Sequence, residues 1–309
     1  MVDAGYGSVP VISLAMDSSL GNNQPAFKID WVKIMPIALR AILYSDCIAK
    51  FYYATLIRER VKGQADRLKD KYLEIAANLI SLDRSKELYR YLAIAAEDFN
   101  RAARDAEFPK VGIVGEIFLK FNPFAHKHLM QWLTEKGIEV VPPILIDFFS
   151  QSFVNTKVKN KSFVQKKSMP NFLLDFAYKL VKHQINKINA IGSKFKYFIP
   201  FGDIFEEAEH ARSIITLDAQ FGEGWLLPAE AVSYHNMGIN HVLSLQPFGC
   251  IANHIISKGM EKKLKDVFPD MFMLPVDFDS GVSDVNITNR MLLFIDNLKK
   301  HNYATANQY

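Results

Sequence analysis

Four short runs constrain this chain most: Lys110–Val114 (KVGIV), Ile138–Val141 (IEVV), His241–Leu245 (HVLSL) and Met271–Val276 (MFMLPV). Each is almost continuously apolar and rich in β-branched or large side chains. That is the pattern of a strand buried on both faces. Helical stretches separate them: His126–Lys136, Phe172–Asn189, Phe205–Ile214, Trp225–Met237 and Ala252–Val267, with Asn286–Lys299 closing the series. Strands alternating with helices predict an α/β fold over residues 109–309. Its parallel sheet is flanked by helices, as in flavodoxin- or Rossmann-like proteins. Gly137 stands where a helix C-cap glycine belongs, and Lys194–Ile199 reads as a further extended segment.

Residues 1–108 read differently. Val9–Leu14 (VPVISL) has the composition of a buried strand. From Trp31 to Ala106 the apolar residues recur at helical spacing, with Gly63 as punctuation. Asp66–Leu82 and Ser85–Ala106 are amphipathic. One strand with three or four helices makes a partial α/β domain, so its sheet partners are expected upstream in a longer chain. Cys47 sits in the apolar stretch ILYSDCIAKFYY as packing. Asp46 beside it needs a partner if buried.

Composition narrows the functional classes. The chain is 49% hydrophobic, which excludes a disordered tail. No apolar run reaches the ~18 residues of a membrane span, and no basic n-region opens a signal peptide. Two cysteines, Cys47 and Cys250, cannot form a disulfide scaffold and suit a reducing, cytoplasmic compartment. A net charge of +4 does not point to nucleic acid. Lys157, Lys159, Lys161, Lys166 and Lys167 crowd a stretch with no acid between Ser150 and Asp175. That stretch is either a solvated loop or a docking patch for a phosphorylated or acidic partner. Phe163 alone is too little aromatic surface for single-strand stacking.

Common catalytic signatures are missing. There is no phosphate-binding Gly-x-x-x-x-Gly-Lys-Ser/Thr, no Gly-x-Ser-x-Gly and no His-Glu-x-x-His. Gly5/Gly7 and Gly222/Gly224 begin Gly-x-Gly pairs that never reach a third glycine. Two other motifs follow strands. The first is Gly115-Glu116-Ile117 with Asn122-Pro123 behind it, where open α/β sheets bind ligands. Either Glu116 and Asn122 face a ligand, or Glu116 is a loop acid and Asn122 a helix cap.

The second motif is Gln246-Pro247-Phe248-Gly249-Cys250-Ile251-Ala252-Asn253-His254, running from a strand into a helix. A cysteine at a helix N-terminus is favoured as thiolate, the form that binds iron or zinc or attacks electrophiles. Asn253 and His254 follow at three and four residues, on the same helical face. The competing reading is a buried apolar cysteine with a satisfied histidine. His126 and His128 are spaced wrongly for a shared helical face. Glu223 is a helix-start acid or a site residue. Asp277, Asp279, Ser280 and Asp284 form a polar turn or a hard-cation site.

Taken in order, the blocks GYGSVPVISL, KVGIVGEIFLKFNPFAHKHLMQWLTEKGIEVVPP, GEGWLLPAEAVSYHNMGINHVLSLQPFGCIANHI and MFMLPVDFDSGVSDVNITNRMLLFID span nearly the whole chain. They resemble the acyl-CoA dehydratase activase-related family. That family includes 2-hydroxyglutaryl-CoA dehydratase activators and CoA-substrate-specific enzyme activases. The resemblance implies an ATPase component that drives electrons through an iron–sulfur cluster to a dehydratase (lyase) or reductase component. It implies Cys250 as a cluster ligand, with Pro247, Phe248, Gly249, Asn253 and His254 shaping its pocket and Gln246 leading into it. Glu116 and Asn122 match the family's other signature. Of the family's Arg-Pro-Tyr-Glu only Arg58 is kept.

The ATPase modules and the remaining cysteine motifs are not in this sequence. The expectation is therefore a C-terminal, dehydratase-like module, inactive alone and holding no cluster alone. Its partners would be upstream ATPase and cysteine-bearing modules, and its substrate an acyl-CoA. The alternative is a non-catalytic α/β docking module with a structural cysteine.

Overall fold

The computed structural model describes Gly5 and residues 30–162, 170–247, 249–279, 281 and 283–306, without the side chains of 301–306. The Val9–Leu14 stretch and Phe248 lie outside the described residues. Two compact units are present, Met1–Ala38 and Leu39–Tyr309. In the first, the described part is the start of helix α1 (Trp31–Leu56), where the Asp30 carboxylate accepts the Lys33 N–H at 3.2 Å.

In the second unit α1 continues and is followed by α2 (Gln64–Ser81) and α3 (Leu88–Ala102). The α/β part then runs β1 (Lys110–Gly115), α4 (Ile117–Phe121), α5 (Leu129–Glu135), β2 (Glu139–Val141), α6 (Leu145–Ser162), α7 (Asn171–Gly192), α8 (Ile204–Arg212) and α9 (Leu226–Asn236). It closes with β3 (His241–Pro247), a π-helical turn (Ala252–Ser257), α10 (Lys258–Val267), β4 (Phe272–Phe278) and α11 (Asp284–Ala306).

The four strands form one parallel sheet in the order β2-β1-β3-β4. Side chains alternate across it as the pleat requires. Val111 and Ile113 of β1, with Leu243 and Leu245 of β3, join α5 and α11 in one core. Val114 and Val242 point the other way, into a core with α9 and α10. Both faces are dry, which explains the uninterrupted apolar runs; each such side chain is worth roughly 1.5–3 kcal/mol of burial. A third core joins α1, α2 and α3 to α7, with Phe51, Phe99 and Phe195 at its centre and Cys47 fully buried in it. Cys47 is packing, as read from its neighbours.

Some segments differ from the sequence reading. Lys194–Ile199 is a series of turns and not an extended strand. The lysine-rich stretch is helical through Ser162, as the end of α6, and 163–169 lie outside the described residues. Lys157 pairs with Asp175 at 2.5 Å and lies over the Phe205 ring, so it is held against α7 and α8. Gly137 closes α5 as expected, with Ile138 N–H reaching back to the Leu133 carbonyl at 3.1 Å.

Candidate functional site

The strand order reverses between β1 and β3: the chain leaves β1 for β2 on one side and later returns to β3 on the other. In open parallel sheets the crevice at such a reversal, beyond the strand C-termini, is where ligands sit. Both sequence signatures end there. Gly115 and Leu245 are register partners, and Glu116 N–H donates to the Leu245 carbonyl at 2.9 Å. The approach is so close that a Cβ on Gly115 (φ 131°) would stand 2.0 Å from that carbonyl oxygen.

Glu116 caps α4, its Oε2 accepting the Leu119 N–H at 2.8 Å. Glu223, buried in the loop before α9, reaches across and accepts the Ile117 N–H at 2.7 Å. Two carboxylates thus serve the free amides of one short helix. The same loop touches the π-turn at Gly222, where a side-chain carbon would meet Ala252 Cβ at 3.1 Å. Asn122 lies at the far end of α4. Its Oδ1 accepts from Phe124 and Ala125 N–H at 3.0 and 3.2 Å, closing the 122–128 turn.

The second signature is built around Cys250. Pro247 ends β3 and its carbonyl accepts the Cys250 N–H at 3.4 Å across the turn at Gly249. Cys250 is partly exposed and stands directly before the helical run that starts at Ile251. Asn253 Nδ2 donates to Cys250 Sγ at 3.1 Å. His254 contacts the Cys250 carbonyl through Nδ1 at 3.1 Å, so Nδ1 carries a proton. The helix expected here begins as a π-turn, a local widening that recurs at functional sites.

Gln246, fully buried, donates through Nε2 to Asp277 Oδ1 at 2.7 Å; the two are register partners on β3 and β4. The same Oδ1 lies 3.5 Å from His254 Nε2, and Lys258 Nζ is 3.9 Å from Oδ2. Asp277 therefore belongs to this network rather than to a cation site with Asp284, which pairs with Lys127. Two buried acceptors here have no hydrogen-bond partner among the described residues, Gln246 Oε1 and Asn253 Oδ1. The segments forming the crevice also carry exposed Phe118, Phe221, Ile251 and Ile255.

Among the described residues no three His, Cys, Asp or Glu side chains converge to hold a metal ion. A cluster of the four-cysteine type needs four cysteine ligands, and Cys250 is a single free cysteine. The donor set among the described residues does not make a whole site for such a group.

Behind α4 lies a feature the sequence reading missed. Lys120 is buried and forms a two-pronged bond to Glu230, at 2.8 and 3.0 Å. Lys50, Asp147, Glu207 and Glu230 line one small cavity of about 40 Å³, with Ser233 and Tyr234. Burial pushes Asp147 from its ordinary 3.8 up to about 8, and it raises Glu207 as well; Lys50 is pulled down by the same desolvation. Asp46 finds its partners in the Leu145 and Ile146 amides, all at 3.0 Å, and so caps α6. Lone charges inside apolar runs, Lys120 in IFLKF and Glu230 in LLPAEAV, were the available signal.

Arg58, the one kept residue of the Arg-Pro-Tyr-Glu motif, is also buried. It bonds Glu139 of β2 at 2.7 Å and the Ala54 and Ala106 carbonyls, with Tyr197 against its guanidinium. It joins α1 to the sheet edge. His126 is buried and His128 begins α5 in the left-handed region, so they do not act as a pair.

No family model matches the chain, and neither a curated protein nor a solved structure is significantly similar to it.

Proposed function

We propose that this chain is the α/β module of an ATP-driven iron–sulfur system of the 2-hydroxyacyl-CoA dehydratase or activase type, working in the cytoplasm. It presents Cys250 to a partner that carries the other cluster ligands. The observation behind this reading is the placement of Cys250. It is a partly exposed thiol at the strand-order reversal, bonded by Asn253, in a turn whose buried Gln246 and Asn253 oxygens have no partner among the described residues. Exposed apolar side chains on the flanking segments favour docking of a second surface over solvent contact. Two free cysteines in the chain suit a reducing compartment. Glu116 and Glu223 would hold the rim in shape, and an acyl-CoA or the partner would fill the crevice.

The second reading, a docking module with a structural cysteine, is favoured by the bond from Asn253, which satisfies Sγ within its own turn. One experiment separates the two. The tagged chain is isolated anaerobically from its own cells with its native partners, as wild type and as Cys250→Ala, and iron and sulfide are measured. Loss of iron and sulfide with the assembly intact supports the ligand role. Unchanged iron content sinks it and leaves the docking reading.

A further inference from the structure

A cavity of about 230 Å³ opens where α5, the end of β4 and the start of α11 meet. Phe278, the last residue of β4, lies in its wall. The cavity therefore stands at the carboxyl edge of the sheet, the edge at which open α/β sheets take ligands. It shares no wall residue with the Cys250 turn. Trp132, Phe278, Ile287 and Met291 make the interior apolar, beside His126 and Leu129.

Two opposite charges stand at this wall together. Lys127 and Asp284 both line the cavity, and they pair with each other. Their side chains are 45% and 76% exposed, so a solute reaches both from water. An ion pair this open contributes little to the fold and parts at small cost. The buried Lys120–Glu230 pair, by contrast, cannot be opened without stranding a charge. Thr288 adds an exposed hydroxyl one turn into α11.

The backbone that carries Lys127 is fixed. Lys127 (φ 51°) and His128 (φ 55°) are consecutive left-handed residues without being glycine. Asn122 Oδ1 holds their turn by accepting from Phe124 and Ala125, and the His128 N–H donates to the Pro123 carbonyl at 2.7 Å. Strain of this kind persists only where its surroundings over-determine it, and it collects at ligand sites. The Asn122-Pro123 turn thus leads to this cavity.

We propose that the cavity binds a free α-amino acid with an apolar side chain. The ligand carboxylate pairs with Lys127 and its ammonium with Asp284, while the side chain lies against Trp132 and Phe278. The reason is charge balance. A simple carboxylate would bring a second anion to Asp284, and a simple amine would bring a second cation to Lys127. A zwitterion leaves every charge with a partner. The volume, below that of drug-sized sites, suits one side chain of the size of leucine or phenylalanine.

The test titrates the full chain with L-phenylalanine, 3-phenylpropanoate and 2-phenylethylamine, which share the ring and differ in charge. Ligand-observed NMR and calorimetry read the binding. L-Phenylalanine is expected to saturate a single site, about tenfold more tightly than either companion. Asp284→Asn should weaken it about tenfold without weakening 3-phenylpropanoate, and Lys127→Gln should weaken it as much while sparing 2-phenylethylamine. Thr288→Trp should block all three. Circular dichroism confirms that the variants fold; if one does not, the three ligands on the unaltered chain still decide the matter. Absence of saturable L-phenylalanine binding up to about 10 mM overturns the proposal. So does equal or tighter binding of either companion, or full L-phenylalanine affinity in folded Asp284→Asn or Lys127→Gln.

Discussion

Gly115 shows how much one position can decide. Its φ of 131° and the 2.0 Å gap to the Leu245 carbonyl leave no room for a methyl group. Gly115→Ala should cost about 2–4 kcal/mol, read from the urea midpoint, because both backbone strain and a steric clash arise. Cys250, Asn253 and His254 lie within one turn, so their grouping was readable from spacing alone. Their partners were not: Gln246 to Asp277 joins residues 31 apart, and Glu223 to Ile117 joins residues 106 apart. Asn122 is the reverse case. Its turn signal was plain, and its Oδ1 is spent on that turn's own amides rather than left free.

At the level of elements, α6 is the instructive failure. Its sequence, LIDFFSQSFVNTKVKNKS, is rich in Ser, Asn, Thr and Phe, which are weak helix formers. No local Ser, Thr or Asp caps it. The cap comes from Asp46 on α1, which is 99 residues from the amide of Leu145 that it serves. Asp46→Ala should lower stability by about 1–2 kcal/mol, seen as a lower thermal midpoint. The β-strands were readable because burial on both faces imposes one continuous chemistry. The π-turn was invisible, since a helical period of 3.6 is assumed in any spacing argument.

For the whole molecule, the buried charges govern response to pH. Around Asp147 stand Asp46 and Lys50 from α1, Lys120 from α4, Glu207 from α8, and Glu230 and Tyr234 from α9. Asp147 holds its proton in the folded state up to about pH 8, whereas the unfolded chain releases it near 3.8. A raised carboxyl stabilises fully below the unfolded value, and that contribution is lost as pH rises through the folded one. Stability should therefore fall between about pH 4 and about pH 8, and Asp147→Asn should flatten that fall in urea titrations. A steeper fall in the variant would contradict this assignment. No helix among the described residues is long and apolar enough to cross a membrane.

The parallel α/β class, the four strands and the Cys250 turn follow from sequence, because apolar runs and residues within one turn are local facts. The strand order that sets Glu116 beside Leu245, the Lys120–Glu230 bond and the cavity at His126 came only from the tertiary structure. They join residues far apart in the chain, and their chemistry exists only once water has been excluded from between them.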